Sequence, residues 1–138
     1  LPQFIAKRRG AILNVSSLAS MMGYGHAAYG GDKAKINSLS DTLQLEYGIP
    51  YNLTIQAAVA GGVSTPGVNH PEVGFDTLSP DDWAECALKQ LNQRHSVTIS
   101  SWVHALLETL QHFIPPFWRA HLQIYFYNLY KEKMKKRD

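Results

Sequence analysis

Cysteine is almost missing from the 138 residues: Cys86 stands alone, which excludes an internal disulfide and any multi-cysteine zinc site and favours a reducing compartment. Its neighbours Trp83, Ala87 and Leu91 point to plain burial. Charge is scarce too, at 17% of residues and a net +2. Five basic against two acidic residues put the last eight positions, Lys131 to Asp138, at +3 and leave −1 for the rest. A nucleic-acid surface needs basic residues spread along a groove or helix face with aromatics between them, so a cluster at one end reads as a tail. No apolar run reaches the 18 residues of a spanning helix. The start, LPQFIAKRRG, lacks the charge order and cleavage site of a signal peptide and reads as a segment from mid-domain. Neither an internal repeat nor a low-complexity stretch is present. What remains, 45% hydrophobic residues with 10 Gly and 7 Pro, is the composition of one globular domain, and it excludes collagen-like, coiled-coil and mainly disordered chains.

Residues Ala11 to Ser17 form a short apolar, β-branched run that suits a buried strand. From Asp32 to Tyr47, the spacing of Ile36, Leu39, Leu43 and Tyr47 predicts an amphipathic helix, ended by Gly48 and Pro50. Tyr51 to Val59 reads as a second strand and Ala60 to Gly67 as the loop leaving it. Strand, helix, strand at this spacing is one βαβ unit of a parallel sheet, so the fold class is α/β. Val68 to Leu78 reads as irregular. Ser79, Pro80, Asp81 and Asp82 make a strong helix start, with a cap, a proline at the first position and two carboxylates facing the helix dipole. That helix runs to about Asn92, a short strand is expected at Val97 to Ser100, and a helix from Trp102 to His112 is broken by Pro115 and Pro116.

Tyr29 and Lys33 lie four apart at a helix start, so they share a face and the ammonium can approach the phenol. A cation beside a phenol favours its ionised form, and such a group can exchange a proton with a carbonyl or alcohol oxygen. By itself the pair can equally be a half-buried Tyr beside a solvated Lys.

A strand ending in Asn14-Val15-Ser16-Ser17, a turn-rich loop, Tyr29 and Lys33, a helix, a second strand and a glycine-containing loop follow one another in an order that resembles the C-terminal half of the short-chain dehydrogenase/reductase family. The resemblance covers residues 1 to about 66. It implies the C-terminal part of a doubly wound, Rossmann-like parallel sheet, with the N-terminal cofactor-binding half absent from this chain and the chain alone inactive. It also implies that Tyr29 is the acid/base, that Lys33 supports it and holds the ribose hydroxyls of NADP, with NAD as the alternative, and that Ser17 hydrogen-bonds the substrate oxygen. Thr65 is similar to the family's threonine beside the nicotinamide, and Gly61, Gly62 and Val63 would let backbone approach the cofactor.

Departures from the family pattern leave a second reading open, a non-catalytic relative with a binding or scaffolding role. Ser17 stands 12 residues before Tyr29, one fewer than in the family, whereas Ser16 has the family's separation. The local Ser-Ser-Leu-Ala pattern favours Ser17. Gly30, Gly31 and Asp32 replace the usual small polar residues or Ala, and Ala60 replaces a proline.

The C-terminal part, with Ile-Pro-Pro-Phe-Trp at 114–118 and a lysine-rich end, resembles the branch of 17β-hydroxysteroid dehydrogenases and very-long-chain 3-oxoacyl-CoA reductases. That implies a hydrophobic ketone or alcohol as partner, no nucleic acid, a possible homodimer, and a place on the cytosolic face of the endoplasmic reticulum rather than free in the cytoplasm. The expected division is residues 1–112 as half of a dehydrogenase domain and 113–138 as an amphipathic helix with a basic tail. Trp118, Leu122, Tyr125 and Leu129 form an apolar stripe suited to a membrane interface or to packing on a substrate pocket. Lys135 and Lys136 match a dilysine retrieval pattern. Asn52-Leu53-Thr54 fits a glycosylation pattern but falls inside the expected second strand. The six histidines do not pair with carboxylates at metal-ligand spacing, so no metal is expected, and His26 reads as lining the pocket mouth.

Overall fold

The computed structural model describes residues 1–22, 27–65, 77–91, 97–99 and 102–135. Readings that fall on His26, on residues 68–76 and on Lys136 to Asp138 lie outside them. Helix α1 (Pro2–Lys7) ends on Arg8, whose φ of 48° is matched by one of 56° at Asn52. Asn52 Nδ2 donates to the Arg8 carbonyl at 3.3 Å, and Arg8 Nη2 donates to the Pro50 carbonyl at 3.1 Å. These bonds join the chain reversals that feed β1 (Ala11–Ser17) and β2 (Thr54–Ala60), and Thr54 N donates to Gly10 O at 3.0 Å where the strands begin.

The strands β1 and β2 are parallel, paired from Ala11 opposite Thr54 to Ser17 opposite Ala60. On the other side of β2 runs β5 (Val97–Ile99), also parallel, giving the order β1-β2-β5. Ile55, Gln56, Ala57, Ala58 and Val59 are all buried, the run expected of a central parallel strand covered on both faces. Gln56 is the polar member of this run, and its Nε2 donates to the Gln90 carbonyl at 3.2 Å.

After β1 come α2 (Ala19–Met22) and α3 (Ala27–Leu43). Helix α3 starts at Ala27, five residues ahead of the apolar stripe counted from Asp32, and so has Tyr29 in its first turn and Lys33 in its second, the helix start expected for that pair. The sequence stripe overlooked this start because Gly30 and Gly31 carry no apolar signal. At its far end the helix widens into a π turn (Gln44–Gly48), followed by α4 (Ile49–Tyr51). Gln44 Oε1 accepts from Ile55 N at 2.7 Å, so this end is fastened to the start of β2. The second strand therefore begins at Thr54, not Tyr51, and Asn52 sits in an exposed turn rather than inside a buried strand. Leu39 stays half exposed, so the expected stripe on α3 is only partly covered.

Beyond β2, the loop forms a two-residue parallel ladder, β3 (Gly62–Val63) with β4 (Thr77–Leu78), where irregular chain was expected at Thr77 and Leu78. Two residues are too few to show a period of two. Helix α5 (Pro80–Gln90) starts as the sequence predicts, with Ser79 Oγ accepting from Asp82 N at 3.1 Å. Helices α6 (Trp102–His112) and α7 (Pro116–Lys135) flank the double proline. Along α7, Phe117, Trp118, Leu122, Ile124, Tyr125 and Tyr127 are all exposed.

Candidate active site

Because β1 and β2 run parallel and pair through to Ser17 and Ala60, both strands end at one edge of the sheet, and Leu18 N extends the ladder by donating to Ala60 O at 2.9 Å. The carboxyl ends of parallel strands are where α/β sheets bind ligands. Neighbouring strand residues point to opposite faces, and this separates the two serines. Ser16 is 1% exposed, and its Oγ donates to the Lys33 carbonyl at 3.1 Å. Ser17 is half-buried, and its Oγ accepts from Ala19 N at 3.2 Å, which leaves the hydroxyl proton for another acceptor.

Lys33 joins helix to strand. Its Nζ donates to the Val15 carbonyl at 2.9 Å and lies 5.6 Å from the centroid of the Tyr29 ring, within cation–π range. Tyr29 is 48% exposed, so the phenol borders both the lysine and open space. A second tie lies deeper: Asn14 Nδ2 donates to Ser40 Oγ at 2.9 Å, and Ser40 Oγ donates to Ile36 O at 2.8 Å. A third runs from Asn37 Nδ2 to Ser20 Oγ at 2.9 Å, and Ser20 in turn donates to the Ser17 carbonyl. Together they fix α3 against β1 and against the turn that follows Ser17. Reading the sequence singled out Ser17, Tyr29 and Lys33 but missed Asn14, Ser20, Asn37 and Ser40; the available signal was polar residues on faces that must be buried, which need partners.

The glycines beside Tyr29 have unlike surroundings. A Cβ at Gly30 would stand 3.0 Å from the Ala19 carbonyl oxygen, because α3 crosses α2 there, whereas one at Gly31 would meet nothing within 4 Å. The glycine at 30 thus follows from close helix passage. Gly61, Gly62, Val63 and Thr65 lie half-buried in the loop leaving β2, next to Ser17 through its Ala60 pairing. Among the described residues, Thr65 makes no hydrogen bond to Tyr29, Lys33 or Ser17. None of the described residues form a group of three His, Cys, Asp or Glu able to hold a metal. The edge therefore offers a phenol, an ammonium and a hydroxyl, the groups needed to move a proton to or from a carbonyl oxygen.

A family model described as short chain dehydrogenase matches residues 1–72. The 17-beta-hydroxysteroid dehydrogenase type 3 of Danio rerio is 32% identical over 139 aligned residues, which cover 100% of this chain and 44% of that protein. Among solved structures, a short-chain dehydrogenase from Sphingobium yanoikuyae in complex with NADPH is 26% identical with a TM-score of 0.62, covering 83% of this chain and 50% of that one. A 7beta-hydroxysteroid dehydrogenase, at 21% identity, a TM-score of 0.66 and coverage of 78% and 44%, shares the fold. The chain spans about half the length of these relatives or less. The family match runs over the same stretch that carries the strand-end serines, the Tyr29–Lys33 helix and the loop after β2, and the chain belongs to the short-chain dehydrogenase family.

Proposed function

We propose that the full-length protein is an oxidoreductase that interconverts a ketone and a secondary alcohol on a steroid or long-chain 3-oxoacyl substrate, with NADPH as cofactor. Lys33 carries this reading. Its ammonium is held between the Val15 carbonyl and the face of Tyr29, and the bond to Val15 uses one of its three N–H donors, so two can serve ligand hydroxyls. With Ser17 and Thr65 at the same end of the sheet, the donor set fits the ribose and nicotinamide portion of such a cofactor. Tyr29, Lys33, Gly61, Gly62, Val63 and Thr65 would hold it there. When bound, the cofactor would supply the hydride.

Tyr29 then gives its proton to the carbonyl oxygen, Ser17 donates a hydrogen bond to the same oxygen, and Lys33 balances the charge left on the phenol. One relative is a 17-beta-hydroxysteroid dehydrogenase and another is a short-chain dehydrogenase in complex with NADPH, which supports the steroid part of this reading and the cofactor. On this reading Tyr29→Phe and Lys33→Met in the full-length protein each lower ketone reduction by orders of magnitude, and the double variant loses little more, because each residue depends on the other. Steady-state rates with NADPH and NADH measure both the loss and the cofactor preference. Strictly additive losses, or none, contradict the assignment.

The same reading places the protein at the cytosolic face of the endoplasmic reticulum. Support comes from α7, whose exposed aromatics run into Lys131, Lys133, Lys135, Lys136 and Arg137.

A further inference from the structure

The start of the loop after β2 rests on a residue from a distant part of the chain. His104, in the first turn of α6, is 6% exposed. A Cβ placed on Gly61 would overlap its imidazole, with Cε1, Nδ1 and Nε2 as the three nearest atoms. The space that any side chain at 61 would occupy is thus filled by the histidine ring. This protein contact is by itself enough to require glycine at 61.

A flat ring pressed against the first residue after β2 sets the height at which the backbone leaves the sheet. Further along, the pairing of β3 with β4 and the bond from Ser64 N to Leu78 O at 2.9 Å hold the loop again. Gly61, Gly62 and Val63 therefore lie on a segment supported at both ends, with His104 as one support, and Thr65 follows directly after the second. We infer that His104 is a positioning residue that holds this loop at the distance the nicotinamide cofactor requires; the inference rests on the functional reading above. His104 acts through Gly61 and does not touch the reacting atoms.

The test uses the full-length protein, with NADPH binding followed by its fluorescence, KM and kcat by steady-state kinetics, and thermal unfolding without cofactor. In His104→Ala the loop loses its support, so the Kd and KM for NADPH rise by about tenfold to a hundredfold while kcat at saturating NADPH changes much less. His104→Phe keeps a flat ring over Gly61 and keeps NADPH affinity close to wild type. Gly61→Ala forces a clash and lowers both unfolding temperature and affinity, and Gly61→Ala combined with His104→Ala recovers part of both, because the vacated ring space accepts the methyl. Additive losses in the double variant, or a His104→Ala protein with lowered unfolding temperature and unchanged NADPH affinity, overturn the inference. A wild-type protein that binds no NADPH overturns the functional reading and the inference with it, and is told apart because the failure is then already present before any substitution.

Discussion

Gly30 and Gly31 stand side by side in α3 and should respond differently to the same change. Glycine inside a helix costs about 1 kcal/mol relative to alanine. Gly31→Ala, with open space for its Cβ, should raise stability by about 0.5 to 1 kcal/mol in urea unfolding. Gly30→Ala should show no such gain, since its Cβ is driven to 3.0 Å from the Ala19 carbonyl oxygen and α2 must yield. Ser40 is fully buried and is the acceptor for Asn14, so Ser40→Ala strands that amide and should cost about 1 to 3 kcal/mol in the same assay. Contacts that depend on local spacing were legible in the sequence. Tyr29 and Lys33 meet through a four-residue helical step, and Ser16 parts from Ser17 through strand alternation. His104 against Gly61 was not legible, because only the placement of α6 at the end of β2 brings the two together.

Elements follow the same division. Helix α5 could be read from Ser79 to within two residues of its end because cap, proline and acidic first turn agree, and α6 was bounded by its prolines. The π turn at Gln44–Gly48 and the β3–β4 ladder depend on tertiary bonds, from Ile55 N to Gln44 in one case and from Ser64 N to Leu78 in the other, and leave no pattern in the local sequence. Helix α7 leaves Phe117 and Trp118 exposed, at 65% and 62%. On the proposed location these aromatics enter the headgroup layer, with about 1 kcal/mol of attraction to anionic lipid per basic residue near the surface. Trp118→Asp combined with Tyr125→Asp should reduce sedimentation of the full-length protein with phosphatidylserine vesicles, and replacing Lys135 and Lys136 by Ser should shift it to later secretory compartments in fluorescence microscopy. Unchanged sedimentation together with unchanged location would contradict both roles.

At the scale of the molecule, β1 lies at the edge of the described sheet with Val15 49% exposed, and an unpaired strand edge invites association. The 138 residues alone should therefore show no saturable micromolar NADPH binding and should tend to associate, as seen by fluorescence titration and light scattering; a monomer that binds NADPH in that range would contradict this. The decisive question is whether the edge formed by Ser17, Tyr29 and Lys33 passes hydride and proton to a ketone. It is answered by incubating the full-length protein with NADPH carrying deuterium at the transferable C4 position and a panel of steroid ketones and long-chain 3-oxoacyl thioesters, then examining the products by mass spectrometry. The expected result is deuterium on the carbinol carbon of one substrate class with wild type, and none with Tyr29→Phe even though that variant still binds NADPH. Products without deuterium across the panel, or equal labelling by Tyr29→Phe, would contradict it.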